Sequence, residues 1–247
     1  MLWKRRTTAH HEPSGTRQVT ARTPRAQRRR RAQRAGRLRR FESLEDRRLL
    51  SGIWLTHNEI MALPTSGPGW EAVYSAARAP LGTHDISNQD SNTDVYTLAK
   101  AIVGVRLGDQ AMLSAARQGV MDAIDTEDGG RTLALARNLV SYVIAADIAG
   151  LDAAQDTVFR AWLRETLTEN LSGRTLVNTH EDRPNNWGTH AGASRAAVAA
   201  YLGDTAELER TATVFRGYLG DRSAYAGFTY GDDLTWQADA AHPVGIN

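Results

Sequence analysis

A chain of 247 residues with a formal net charge of only +2 and no cysteine has room for one large domain or two small ones, but it forms no disulfide, no thiolate metal site and no thiol nucleophile. The near-even balance hides a division, because residues 1–50 carry 16 Lys and Arg against 4 Asp and Glu while the other 197 residues carry 14 against 24. No run of about 18 apolar residues offers a membrane span, and the N-terminus lacks the apolar stretch of an ordinary signal peptide.

Residues 1–40 hold Arg28 to Arg31 in one block, with Arg34, Arg37, Arg39 and Arg40 close behind and almost nothing apolar. Such a segment buries too little surface to offset the entropy of ordering it, so it is expected to have no fold of its own. It suits either neutralisation of nucleic-acid phosphates or a targeting leader. The next stretch favours the leader, and nucleic acid is not the expected partner. Phe41-Glu42-Ser43-Leu44-Glu45-Asp46-Arg47-Arg48-Leu49-Leu50-Ser51 resembles the short N-terminal motif of many large secreted and surface proteins of planctomycetes and some other bacteria, whose core reads Leu-Glu-Pro-Arg-x-Leu-Leu. Asp46 stands where proline is usual. The resemblance implies export, to the periplasm, the cell surface or the medium. The expected division is a basic leader over 1–52, with this motif at 41–51, and a second domain over 53–247.

From Ile53 the composition becomes globular. Leu63 to Trp70 is a turn-rich entry to a helix over Glu71–Arg78 that ends before Pro80, and Leu81 to Asp94 reads as a polar loop carrying Asn88, Gln89, Asp90 and Asn92. Helical stripes then follow at short intervals: Val95, Leu98, Ala99, Ile102 and Val103; Leu113, Ala116, Val120 and Ile124; Leu135, Leu139, Tyr142 and Ala146; and, after Asp152 as a cap, Val158, Phe159, Trp162 and Leu167. A loop is expected over 173–189. A small-residue helix from about His190 to Leu202 suits an inner, surrounded position. Asp204 to Glu207 has capping-box spacing and opens a sixth helix with Leu208, Ala212, Phe215 and Leu219 inward. Short connections force neighbours to reverse, so the expected fold is all-α, built of antiparallel helical hairpins.

Arg183-Pro184-Asn185-Asn186-Trp187-Gly188-Thr189-His190 concentrates carboxamides, an indole and an imidazole ahead of a helix. Pro184 disfavours helix at Arg183, Gly188 permits unusual backbone beside Trp187, and Thr189 is placed to cap a helix beginning at His190. A helix N-terminus favours an anion. Turn formation, capping and an interior histidine account for the same residues equally well.

The order Asn185 to Arg195 followed by Tyr201-Leu202-Gly203-Asp204, together with Leu135 to Tyr142 and Phe215 to Arg222, resembles the alginate lyase domain family of polysaccharide lyases over roughly residues 53–247. The resemblance implies an incomplete α/α toroid that ends early in this chain, and β-elimination on a uronic-acid polymer with no metal and no cofactor. Asn186 matches the family's carboxylate-neutralising asparagine. The histidine usual directly after it is Trp187 here, leaving His190 as the nearest imidazole, and the catalytic tyrosine is sought at Tyr230 in preference to Tyr225. Asn185, Trp187, Arg183, Arg195 and Trp236 are candidates for holding an acidic polysaccharide, and His180 for adding positive potential. Two other functions fit the chain. One is a toroid hydrolase using Asp232 or Asp233 with Asp182 as its carboxyl pair, and the other is a surface protein that binds polysaccharide without catalysis.

Overall fold

The computed structural model describes residues 52–183 and 185–221, all within the unit Arg47–Asn247. The leader and its motif, Tyr225, Tyr230, Asp232, Asp233 and Trp236 lie outside the described residues. Within them the chain is all-helical: α1 His57–Ala62, α2 Pro68–Arg78, α3 Thr93–Leu107, α4 Gln110–Asp122, α5 Thr132–Ala149, α6 Ala153–Thr166, α7 Leu176–Asp182, α8 Asn186–Leu202 and α9 Thr205–Tyr218. A single isolated bridge, Leu171 to Arg174, interrupts the helical pattern.

The helices start where side chains replace missing backbone partners. Asp109 accepts from Ala111 and Met112 N–H, Asp152 closes a capping box with Gln155, and Thr175 closes another with Asn178. At the other ends, cations take orphan carbonyls. Lys100 Nζ donates to Ala77 O at 2.5 Å and to Ala79 O at 2.8 Å at the end of α2, and Arg117 Nε donates to Ala149 O and Gly150 O at the end of α5.

The core is centred on α5 and α8. The first packs on α3, α4 and α8, and the second on α5, α7 and α9. Leu135, Leu139, Tyr142 and Ala146 are all buried, as their stripe predicts, and most of the rest of α5 is buried with them. Helix α5 is as long and apolar as one that crosses a membrane, and here its apolar sides are covered by the surrounding helices. Ser194 of α8 is wedged into α5: its Oγ donates to Ala136 O at 2.8 Å and accepts from Val140 N–H at 3.1 Å. A side chain entering the i to i−4 ladder in this way fixes two helices against each other at one turn.

Three expectations change. Residues 176–182 are helical, not loop. Val95 and Val158 are 47 % and 51 % exposed, so each stripe is narrower than its pattern. Helix α9 is turned the other way: Leu208, Ala212, Phe215 and Leu219 face outward, while Thr211, Val214 and Tyr218 are buried. A polar network beneath α9 sets that orientation, because Glu207 completes only half of the capping box with Asp204 and sends its carboxylate to Arg195.

Candidate active site

Helix α8 begins four residues earlier than its composition suggests. Asn185, not Thr189, is the cap: its Oδ1 accepts from Trp187 N–H at 3.0 Å, and Thr189 donates back to Asn185 O through both N–H and hydroxyl. Helical geometry therefore holds from Asn186, which puts Asn186, His190 and Ser194 on one stripe, a turn apart. Gly188 is needed for close approach, not for unusual backbone. A Cβ there would overlap the Arg183 carbonyl and the Tyr218 hydroxyl.

Asn185 and Asn186 are exposed and Trp187 is half-buried. The Arg183 guanidinium lies 5.0 Å from the centroid of the Trp187 ring, a cation–π contact that braces the indole beside the helix start. His190 is half-buried, and its pKa is lowered by burial and then by the nearby Arg137 cation, so the imidazole is neutral near pH 7.

Arg137 is a further candidate, which the sequence does not single out. It is exposed on α5, one residue past Ala136, the carbonyl that Ser194 grips, and its charge reaches both His190 on α8 and Asp94 on α3. Asp94 itself is buried, and burial raises its pKa against hydrogen bonds from Val95 and Ser141 and the Arg137 charge. Nothing in an Ala- and Leu-rich helix marks Arg137 as special. Only the packing of α5 between α3 and α8 does so.

The polar loop before α3 joins the same turn of α5. Asn138 Nδ2 donates to Ile86 O at 3.2 Å and Asn88 O at 3.0 Å, which leaves the Asn88 side chain on the surface. Behind it, the Tyr142 hydroxyl meets His84 Nδ1 at 2.8 Å and Thr93 Oγ1 at 2.9 Å, tying both ends of the loop to α5. Burial lowers the His84 pKa, with Asp122 opposing.

Other candidates are engaged elsewhere. Arg195 is wholly buried, with Nε 2.5 Å from Glu207 Oε1 and Nη1 2.9 Å from Glu181 Oε1, so it pairs with acids under α8 and presents no charge to a substrate. Arg210 joins the same network through both oxygens of Glu181. His180 is buried, stacked edge-on against Tyr218 at 5.7 Å, and pressed on Gly192, where an added Cβ would lie 2.6 Å from its Nε2. Burial and the Arg195 charge push its pKa down to about 3, so it adds no positive potential. Asp182 accepts from Arg174 Nη1 at 2.5 Å.

On this all-helical domain α3 and α8 both pack on α5, whose exposed Arg137 acts on His190; Asn186 stands one turn from His190 along α8 with Trp187 beside it, and Asn88 is held to α5 through Asn138. A family model described as alginate lyase matches residues 120–223, a stretch that holds all of these groups except Asn88, and over it the chain is similar to that family. No curated protein and no solved structure matches the chain.

Proposed function

We propose that the chain is a polysaccharide lyase that cleaves an alginate-like uronic-acid polymer by β-elimination, and that its hairpins form part of an α/α toroid with the α3–α5–α8 face in its cleft. The observation that carries this reading is His190 under the Arg137 charge with Asn186 one turn away on the same helix, inside the stretch similar to the alginate lyase family. A proton at C5 of a uronate is weakly acidic because the adjacent carboxylate repels a second negative charge. The Arg137 cation and the Asn186 amide are donors suited to neutralise that carboxylate. Neutral His190 then takes the C5 proton, the C5–H electron pair becomes the C4–C5 double bond, and the C4–O4 bond breaks. Tyr230 is assigned on the sequence resemblance to return a proton to O4, and Trp236 to stack on a neighbouring sugar. Export by way of the leader motif would bring such an enzyme to its polymer.

Incubating the full chain with alginate and other polyuronates, and following absorbance of the unsaturated product, tests the reading. Rising absorbance is expected. New reducing ends without unsaturation would point to hydrolysis instead, and binding with neither product would leave a non-catalytic carbohydrate protein.

A further inference from the structure

The turn between α4 and α5 holds a buried carboxylate with an unmet need. Glu127 is 4 % exposed; its Oε1 accepts from Trp162 Nε1 at 2.6 Å, while its Oε2 is buried with no hydrogen-bond donor. A buried acceptor left in that state is costly. The segment after α6 is bonded to this turn through Ser172 and Thr132, and it brings a second carboxyl, Glu169, three residues beyond α6, into interaction with Glu127. Two ionised carboxylates offer each other only acceptors, whereas one proton between them satisfies both. The other charged groups of these segments are Asp125, Asp128 and Arg131 on the turn, the exposed Arg164 and Glu165 at the end of α6, and Arg174, which is paired with Asp182 at 2.5 Å. Burial, then Glu127, Asp128 and Asp125, push the Glu169 pKa up to about 7.

The turn is also tied to the polar loop at the candidate site. Thr126 accepts from Ile86 N–H through Oγ1 and from Ser87 N–H through its carbonyl, both at 3.1 Å. On its other side Ser172 Oγ donates to Gly130 O at 3.2 Å, and Thr132 Oγ1 donates to Leu171 O and Arg174 O. The residues that follow Glu169 are therefore fastened through this turn to Ile86 and Ser87. We propose that Glu127 and Glu169 share one proton and act as a pH-operated latch beneath the 85–92 loop, closed when the proton is present and loosened when it leaves. Neighbouring groups of like charge make the doubly ionised pair repel, and the turn carrying Thr126 is what yields.

Hydrogen exchange of the full chain across the neutral range, corrected for intrinsic rates, tests the latch, with Tm measured in parallel. Protection at Ile86 and Ser87 is expected to fall by about tenfold or more from about pH 6 to about pH 8, tenfold being the effect of one pKa unit between latched and open forms. Glu169→Gln keeps a neutral donor beside Glu127 and should abolish the fall. Asp128→Asn, an exposed change that decides the matter if the first variant does not fold, removes a charge that raises the Glu169 pKa, so the fall should begin at lower pH than in the wild type. An unaltered profile in Glu169→Gln or, failing that variant, in Asp128→Asn would overturn the proposal. So would restoration of protection at about pH 8 by calcium ions alone, because a cation and not a proton would then be the bridge.

Discussion

His180 and His190 lie on either side of the α8 start, and in both the imidazole is held neutral, yet they occupy opposite situations. His180 is sealed between Tyr218, Gly192 and Arg195, and its depressed pKa records burial inside an ion network. His190 is half-buried beside the exposed Arg137 and stands one turn from the exposed Asn186. A shifted pKa points to chemistry only where a substrate can arrive, and the two sides of this one helix separate structural polarity from available polarity.

The sharpest way to break the contrast is at the reachable histidine. His190→Ala should lower kcat on the polyuronate by about a hundredfold to ten-thousandfold, the range for loss of a general base, with little change in Tm. Equal losses of activity and Tm would place His190 with the structural set. Arg195→Ala should do the converse, costing about 3–5 kcal/mol of stability in a denaturant titration, because Glu181 and Glu207 would each lose a buried partner. A cost below about 1 kcal/mol would show that the network relaxes into water.

The remaining contrast concerns pH, and near neutrality its effect is small. A histidine whose folded pKa is depressed from 6.5 to about 3 contributes stability that is present above 6.5 and lost as pH falls, since the unfolded chain takes up the proton first. Tm should therefore decline from about pH 6.5 downward, and His180→Gln should flatten that limb. Glu169 acts with the opposite sign, its raised pKa removing stability as pH rises from 4.5 through about 7.

How much the sequence disclosed depended on whether local pattern and tertiary packing agreed. They agree in α5, where Leu135, Leu139 and Tyr142 face inward and the helix is buried on most sides. They disagree in α9, whose apolar stripe faces out because Arg195 draws Glu207, and with it the opposite face, toward α8. The start of α8 was hidden because Pro184, Asn185 and Asn186 read as a turn and Thr189 as a cap, when a single asparagine caps the helix four residues sooner. Helix α7 is short and polar, and its capping box closes with Asn178 where glutamate or glutamine is the usual signal. Asn186 and His190 stand out in the sequence as candidates. Their relation to each other and to Arg137 does not, since it depends on where α8 begins and how it meets α5.

The Ser194 hydroxyl gives this meeting a further meaning. It works as a gauge pin: by bonding to Ala136 and Val140 together it sets the axial registry of α8 against α5 at a single point, one turn from His190 and one residue from Arg137. Sliding one helix past the other by a residue would shift that registry by about 1.5 Å, and errors of about 1 Å in a reacting geometry cost on the order of a hundredfold in rate. The spacing between His190 and Arg137 is thus inherited from a buried contact, so exposed residues around the two can be exchanged without resetting the distance between them.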